Sequence, residues 1–187
     1  ILDCFINDRD GRLQYWEGLE DWQFGDRPIF TLVTKFFQDL LVGIWFNFND
    51  FDNDGDHDLL SHTPGTDNVS YYENVNGTLH LVNSQLHTPS GFPVYGGQIV
   101  IPTVADIDAD GHLDYFVGDI SGRLAYYAGQ GNADTGPQFE FVSDYFENIQ
   151  IIWTPGRHGA NSISFYDLDN DSDLDLIWGD FYQPGLF

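Results

Sequence analysis

One nine-residue acidic pattern occurs three times in the chain and constrains its fold more than any other feature. The pattern is D-x-D-x-D-G-x-x-D, at residues 50–58 (loop 1), 106–114 (loop 2) and 167–175 (loop 3), with Ser172 in place of the glycine in loop 3. Carboxylates at alternating positions converge when such a loop curls tightly, and oxygen-only donors suit a hard cation, above all Ca²⁺. The carboxylate ligands predicted at positions 1, 3, 5 and 9 are Asp50, Asp52, Asp54, Asp58, Asp106, Asp108, Asp110, Asp114, Asp167, Asp169, Asp171 and Asp175.

A single Asp-rich stretch is usually a solvated turn, because Asp, Asn and Gly are favoured in turns for local reasons. Three copies with the same spacing indicate something more. Two carboxylates about 4 Å apart repel each other by roughly 4 kcal/mol at an effective dielectric constant near 20. A fold that gathers four of them in each of three places needs a cation there, so we predict about three Ca²⁺ sites.

The segments on both sides of each loop read as β-strands, as in residues 162–166 before loop 3 and 175–178 after it. An EF-hand needs a Glu at position 12 and flanking helices. Position 12 is instead Ser61, Val117 or Trp178 in the three copies, which excludes an EF-hand. Each loop is therefore predicted at the tip of a β-hairpin.

The loops belong to a longer repeat, because their closing acids Asp58, Asp114 and Asp175 are spaced 56 and 61 residues apart. One period before Asp58 lies Asp3, which we interpret as the last ligand of a fourth loop whose front half is missing. Each repeat contains four short strand-like segments, and four-stranded units in series are typical of β-propeller blades. The predicted fold is all-β, with blades of four antiparallel strands and calcium loops at hairpin tips.

The predicted domain is a single β-propeller segment over residues 1–187, with approximate blades at 1–38 (partial), 39–94, 95–150 and 151–187 (partial). Two complete blades cannot close a ring, since propellers usually have four to eight. We therefore expect the remaining blades in a longer chain or in a second copy. Adjacent aromatic residues are predicted to place one ring between blades and the other at the surface or an edge.

The net charge of −24 argues against nucleic-acid partners, because such a surface repels phosphates. No apolar run is long enough for a transmembrane segment, and the lone Cys4 offers no disulfide within this chain. Calcium sites of millimolar affinity fit an extracellular, secreted or cell-surface protein. The start at Ile1 within a strand-like segment suggests a processed or partial chain.

The loop pattern followed by an apolar strand, Gly-Asp and then Gly-x-Leu-x-Tyr-Tyr resembles the FG-GAP/VCBS repeat over nearly the whole chain. Such repeats build the integrin α-subunit propeller, several calcium-containing lectins and non-catalytic parts of secreted polysaccharide-degrading enzymes. The resemblance implies a main-chain carbonyl ligand at position 7, which is Asp56, His112 or Asp173. The chain departs from the family pattern at Ser172, and at Thr63, where the other repeats have Asp119 and Asp180.

The family resemblance implies a non-catalytic extracellular scaffold that binds a glycan or protein ligand, or serves in adhesion. Candidates for stacking on sugar rings are Trp16, Trp22, Trp45 and Tyr95, although core packing is the more common role for any single one of them. The alternatives are a non-catalytic part of a secreted polysaccharide-active enzyme, or a subunit of an extracellular assembly completed by neighbouring chains. No enzymatic activity is expected, since the sequence has no nucleophile elbow, Gly-rich phosphate loop or metal-ligand spacing of histidines.

Overall fold

The computed structural model describes residues 3–19, 27–97, 102–149 and 161–180. These residues form thirteen β-strands and two 3₁₀ turns, Phe37–Asp39 and Phe146–Asn148, with no α-helix among them. The strands are β1 (Cys4–Asn7), β2 (Leu13–Gly18), β3 (Phe30–Thr34), β4 (Phe46–Asn49), β5 (Asp58–His62), β6 (Val69–Val75), β7 (Thr78–Asn83), β8 (Thr103–Ala105), β9 (Asp114–Gly118), β10 (Leu124–Ala133), β11 (Gly136–Ser143), β12 (Asn161–Tyr166) and β13 (Asp175–Asp180).

The described strands form four antiparallel sheets, and the predicted all-β fold class is confirmed. Sheet 1 has the order β1-β2-β3, sheet 2 β4-β5-β6-β7, sheet 3 β8-β9-β10-β11 and sheet 4 β12-β13. Each acidic loop connects two paired strands, as predicted: loop 1 joins β4 to β5, loop 2 joins β8 to β9, and loop 3 joins β12 to β13. The blade boundaries stay a prediction.

The first three sheets share an irregularity at the same place in the repeat. The register between the third and the outermost strand shifts at the aromatic pairs Tyr71/Tyr72 in sheet 2 and Tyr126/Tyr127 in sheet 3. Sheet 1 shows the corresponding shift at Tyr15/Trp16. A bulge of this kind bends the strand and increases its twist. The repeat in the sequence is therefore accompanied by a repeat of the same register shift in the backbone.

Among the described residues, three buried apolar clusters hold the sheets together, and each draws its residues from two consecutive sheets. Leu59 belongs to the cluster between sheets 1 and 2, whereas its neighbour Leu60 belongs to the cluster between sheets 2 and 3. Tyr115 and Phe116 divide in the same way between the clusters on the two faces of sheet 3. Because successive side chains of a strand point to opposite faces, sheets 2 and 3 are buried on both faces.

This stacking corrects the prediction for the aromatic pairs. Tyr71 lies in the cluster between sheets 2 and 3, and Tyr72 packs against the cluster between sheets 1 and 2. In sheet 3, Tyr127 lies in the cluster with sheet 2, and Tyr126 packs against the cluster with sheet 4. For the pairs in sheets 2 and 3, the prediction that one ring lies at the surface or an edge is wrong, because both faces of these sheets are covered.

His62 is buried at the end of β5 that lies away from loop 1. Its ring centroid lies 6.3 Å from that of Trp45, and its Nδ1 has no hydrogen-bond partner among the described residues. A Cβ built on Gly43 would lie 2.6 Å from that nitrogen, so the Gly43 backbone packs against the ring. Burial lowers the pKa of His62, although the charge of Asp67 opposes the effect. The folded state therefore favours a neutral imidazole.

Acidification below about pH 6.5, the ordinary histidine pKa, is expected to destabilise the protein through His62. Because the folded pKa is depressed, the unfolded chain takes up the proton first. The stability contribution is present above pH 6.5 and is lost as the pH falls towards the folded pKa, at up to about 1.4 kcal/mol per pH unit. The urea midpoint is measured in saturating calcium at pH 7.5 and at pH 5.5. Its fall between these two pH values should be larger for the wild type than for His62→Gln. Equal losses would contradict this assignment.

Candidate metal centre

Each acidic loop brings together three carboxylates whose oxygens lie within 4.8 Å of one another. The three groups are Asp50, Asp52 and Asp54 in loop 1, Asp106, Asp108 and Asp110 in loop 2, and Asp167, Asp169 and Asp175 in loop 3. All of these side chains are half-buried or exposed, so an ion from solvent can reach them. The structure thus assembles positions 1, 3 and 5 in two loops, and positions 1, 3 and 9 in the third.

The carboxylate at position 1 fixes the curl of each loop. In loop 1, Asp50 Oδ1 accepts a hydrogen bond from the Asp54 N–H at 3.2 Å, and Oδ2 accepts one from the Gly55 N–H at 3.0 Å. Asp106 makes the equivalent pair at 3.1 and 3.0 Å, and Asp167 at 3.2 and 3.1 Å. Two backbone donors therefore hold the first carboxylate against the turn that carries positions 5 and 6.

The N–H of the position-7 residue donates to the position-5 carboxylate in every loop. The donors are Asp56 at 2.8 Å, His112 at 2.8 Å and Asp173 at 3.1 Å. The adjacent charge of Asp171 raises the pKa of Asp173. The carbonyl-ligand role that the resemblance implies for these three residues stays a prediction.

The curl also requires left-handed backbone at two positions of each loop. At position 6, φ is +95° for Gly55, +90° for Gly111 and +78° for Ser172. Glycine adopts this region at no steric cost, whereas a residue with a Cβ is strained there. Position 4 is left-handed as well, with φ between +58° and +62° at Asn53, Ala109 and Asn170. Ser172 and Ala109 are therefore the strained residues of the loops.

In loops 1 and 2 the acid at position 9 is buried, unlike the carboxylates at positions 1, 3 and 5. Asp58 is 1% exposed and accepts from the Asn74 N–H at 2.8 Å, the Phe51 N–H at 3.2 Å and the Tyr71 hydroxyl at 3.0 Å. Asp114 is 2% exposed and accepts from the backbone N–H groups of Gly129 and Ile107 at 2.8 and 3.2 Å. Neither acid belongs to the groups of three, and their role as direct ligands stays a prediction.

Burial raises the pKa of both Asp58 and Asp114, since it disfavours the charged form. The tyrosine hydroxyls beside them are perturbed in the same direction. Burial, then the charge of Asp114, raises the pKa of Tyr126 to about 12. Burial and the charge of Asp58 likewise raise the pKa of Tyr71. Both hydroxyls therefore remain protonated, as a donor to a carboxylate requires.

The residue at position 2 connects each of the first two loops to a core between sheets. The side chain of Phe51 is buried in the cluster between sheets 2 and 3, with its ring centroid 6.1 Å from that of Tyr71. Ile107 packs against the cluster between sheets 3 and 4. Sequence reasoning missed this connection, although an apolar residue at position 2 in all three loops was the available signal.

Asp3 makes the hydrogen bonds of a position-9 acid. Its Oδ1 accepts from the Gly18 N–H at 3.1 Å, and its Oδ2 accepts from the Tyr15 hydroxyl at 2.9 Å. Asp58 has the same two kinds of donor in the backbone N–H of Asn74 and the hydroxyl of Tyr71. The hydrogen-bond environment of Asp3 therefore matches that of Asp58, and the fourth loop stays a prediction.

Asp119, which directly follows the last residue of β9, forms a structural ion pair with Arg123. Asp119 accepts from the Arg123 Nε at 2.6 Å and from the Ser121 N–H and hydroxyl at 2.8 and 2.6 Å. Burial acts to raise the pKa of Asp119, but these hydrogen bonds outweigh it and lower the pKa. Where sheet 2 has Thr63 instead, its hydroxyl lies 2.6 Å from that of Ser70 and donates to the Ser84 carbonyl.

The structure describes three of the four aromatic residues predicted to stack on sugars. Trp45 is 2% exposed, and its indole N–H donates to the Gly96 carbonyl at 2.6 Å, which excludes sugar stacking and agrees with the alternative of core packing. It is a core residue because it lies between two stacked sheets. Trp16 and Tyr95 are half-buried, and Trp22 lies outside the described residues.

These sheets and loops define the chain as a β-propeller-like module of repeated four-stranded units. The model of one family, described as the FG-GAP-like repeat, matches residues 50–117 and 106–178. The chain belongs to this family, and the resemblance drawn from the sequence is confirmed. The two matches overlap across loop 2 and together contain all three acidic loops.

Neither the curated proteins nor the solved structures contain a match to the chain. Among the described residues, no helix has the length and hydropathy needed to span a bilayer.

Replacing Ser172 by glycine is expected to stabilise loop 3. The substitution relieves left-handed strain of about 1–2 kcal/mol, offset by the greater unfolded-state entropy of glycine. A net gain of roughly 0.5–1 kcal/mol is expected in chemical denaturation with calcium. The reciprocal variant, Gly55→Ser, should destabilise loop 1 by a similar amount. A loss of stability in Ser172→Gly would show that the serine side chain contributes more than its backbone strain costs.

Proposed function

We propose that this protein is an extracellular, calcium-stabilised, non-catalytic β-propeller module that binds a glycan or a protein ligand. The observation that carries the proposal is the convergence of three carboxylates within 4.8 Å in each of three loops of the same repeat. Membership of the FG-GAP-like repeat family supports it.

The donor chemistry fits Ca²⁺. The groups contain only carboxylate oxygens, and Ca²⁺ takes six to eight oxygen ligands in flexible geometry, whereas Mg²⁺ demands near-ideal octahedral geometry. Asp50, Asp106 and Asp167 are already held by two backbone N–H groups each. A bound cation would supply the positive charge that keeps each group of carboxylates together.

The chain's own residues would carry the effect of the ion into the fold. Position 2 of loops 1 and 2 donates its backbone N–H to the position-9 carboxylate and inserts its side chain into a core between sheets. A loop held in shape would therefore hold Phe51 and Ile107 in place between neighbouring sheets. Calcium would thus act as a structural element of the scaffold.

The titratable groups described next, which lie outside the loops, make structural contacts, and this supports a non-catalytic role. Asp119 and Arg123 form an ion pair, and Arg123 also bonds Asp144 at 3.1 Å. His62 is buried and faces Gly43 and Trp45. These groups contribute to the packing of the sheets.

Two alternative functions are a non-catalytic part of a secreted polysaccharide-active enzyme and a subunit of an extracellular assembly.

An extracellular location is supported by the nature of the sites. Loops with accessible carboxylates resemble the weaker calcium sites of extracellular modules, which work at 10⁻⁴–10⁻³ M because the ion is abundant there. A net charge of −24 would also be reduced by bound calcium, which would favour the compact state.

Calcium is expected to raise the unfolding temperature, and a chelator to lower it. Each site that binds only the folded protein contributes about 2.7 kcal/mol when the ion is at 100 times its Kd. Scanning calorimetry of protein in calcium, magnesium or chelator measures the effect, and the magnesium shift should be smaller. A variant with Asp106→Asn, Asp108→Asn and Asp110→Asn should keep part of the calcium shift. Identical transitions in calcium and chelator would contradict the proposed metal role.

The ligand class is tested with a glycan array probed by protein in calcium and again in chelator. Calcium-dependent binding to one glycan class would support glycan recognition and would direct mutagenesis to exposed residues near the loops. A blank array, obtained with protein shown to be folded by its calorimetric transition, would contradict glycan recognition and leave protein recognition as the supported form.

A further inference from the structure

Four consecutive residues of β10 contact the surroundings of two different acidic loops. The β10–β11 hairpin is longer than its counterpart, since its strands have 10 and 8 residues, whereas β6 and β7 have 7 and 6. Besides the shift at the aromatic pair, its register shifts again between Gly129 and Asn132, which the described pairings of sheets 1 and 2 do not. Residues 129–132 are named the linking segment below, because their two ends lie at different loops.

The first end of the linking segment packs on loop 2. The Gly129 N–H donates to Asp114 Oδ1, the closing acid, at 2.8 Å. A Cβ built on Gly129 would lie 2.5 Å from the Leu113 carbonyl oxygen, and one built on Gly131 would lie 3.2 Å from His112 Cε1. The backbone of the linking segment is therefore in direct contact with positions 7, 8 and 9 of loop 2.

The other end reaches the closing acid of loop 1 through one tyrosine. The Tyr71 hydroxyl donates to Asp58 Oδ2 at 3.0 Å. Burial and the charge of Asp58 raise the pKa of Tyr71, and a hydrogen bond between its hydroxyl and the Asn132 side chain acts in the opposite direction. Beyond Asn132, a Cβ on Gly136 would collide with the Tyr71 ring. The hairpin tip therefore packs on sheet 2 at the tyrosine that bonds Asp58.

The same tip faces loop 1 across a cleft of about 510 Å³. Asp52 of loop 1 and Glu73 of β6 line one part of this cleft, and Asn132 and Asp134 of the tip line another. Asp52 is one of the three converging carboxylates of loop 1. The tip thus lies near loop 1 at two points, at Asp52 across the cleft and at Asp58 through Tyr71.

Each loop has a reason to be less ordered without an ion. Three carboxylates with oxygens within 4.8 Å of one another repel. A loop that loses its curl also moves its closing acid, because position 2 donates to that acid in both loops. Two sites are coupled when one element changes its arrangement with the state of both. The linking segment is placed to be that element.

We propose that residues 129–132 couple loops 1 and 2, so that calcium binding at either loop raises the affinity of the other. When loop 2 is held in shape, its residues 112–114 fix Gly129 and Gly131, and these fix Asn132 beside Tyr71. Tyr71 in turn holds Asp58, the closing acid of loop 1. The coupling rests on the proposed function, because it needs calcium at both loops. By thermodynamic linkage it is reciprocal.

A calcium titration followed by nuclear magnetic resonance resolves the loops one by one. The backbone amides of Gly55 and Gly111, at position 6 of loops 1 and 2, report the calcium midpoint of each loop in the isotope-labelled protein. Removing loop 2 with Asp106→Asn, Asp108→Asn and Asp110→Asn should raise the Gly55 midpoint about fivefold. Removing loop 1 with Asp50→Asn, Asp52→Asn and Asp54→Asn should raise the Gly111 midpoint by the same factor.

Two controls separate the contacts from the loss of negative charge. The variant with Asp167→Asn, Asp169→Asn and Asp171→Asn removes the same charge from loop 3 and should leave the Gly55 midpoint nearly unchanged. The fivefold effect should also persist in 1 M KCl, where the Debye length is about 3 Å, since salt screens charges that act through solvent. A shift that disappears in salt, or an equal shift from loop 3, would assign the effect to charge alone and overturn the proposal.

The variant Asn132→Ala tests the linking segment itself. Asn132 is exposed, so its truncation should leave the fold intact. In this background, removal of loop 2 should shift the Gly55 midpoint by less than about twofold, because the bond to Tyr71 is lost. The matched variant is Gln130→Ala, whose side-chain amide bonds the neighbouring Gly129 carbonyl at 2.9 Å and which should keep the full shift. A full shift in Asn132→Ala would overturn the proposal.

The same titrations separate the coupling from the proposed function. If Gly55 and Gly111 both respond to calcium, but each with a midpoint independent of the other loop, the coupling fails and the calcium scaffold stands. If neither amide responds to calcium at millimolar concentrations, the calcium role fails and the coupling fails with it.

Discussion

A buried carboxylate at the end of an acidic loop ties that loop to strand β6 and to the core between two sheets. Asp58 accepts from the backbone of its own loop, from the backbone of β6 and from a tyrosine hydroxyl in the core between sheets. A charge buried in this way is tolerated only when several donors surround it. Loop shape, strand pairing and sheet stacking therefore depend on one another. Loss of any donor would leave part of a buried charge unsatisfied, which costs more than an exposed hydrogen bond.

The stacking of the sheets follows from this arrangement and from the alternation of the strands. Sheets 2 and 3 bury both faces, and the position-2 side chains Phe51 and Ile107 lie at the boundary between loop and core. Loops 1 and 2 are thus part of the packing that holds neighbouring repeats together. An ion bound to loop 1 or loop 2, as proposed, would add rigidity, because a fixed loop would fix a residue of the core.

The features encoded locally were predictable. The spacing of Asp residues located the loops, and the strand-like segments around them gave the hairpins, since turn chemistry and alternation act over a few residues. The bonds of Asp58 to Asn74 and Tyr71 were not predictable, because they join residues 16 and 13 positions apart. The one-turn 3₁₀ helix at Phe37–Asp39 is too short to produce a helical periodicity in the sequence. The sequence left both sugar stacking and core packing open for Trp45, because its burial depends on two sheets covering it.

Amide hydrogen exchange of the whole chain, in calcium and in chelator at constant pH, tests the central claim most directly. Exchange rates report how far the effect of an ion spreads through a structure. Our account predicts slower exchange with calcium in the three loops and also in β5, β6, β9 and β10, which carry the closing acids and the residues that bond or stack against them. Protection confined to residues 50–58, 106–114 and 167–175, or no protection at all, would contradict the coupling between the acidic loops and the cores between sheets.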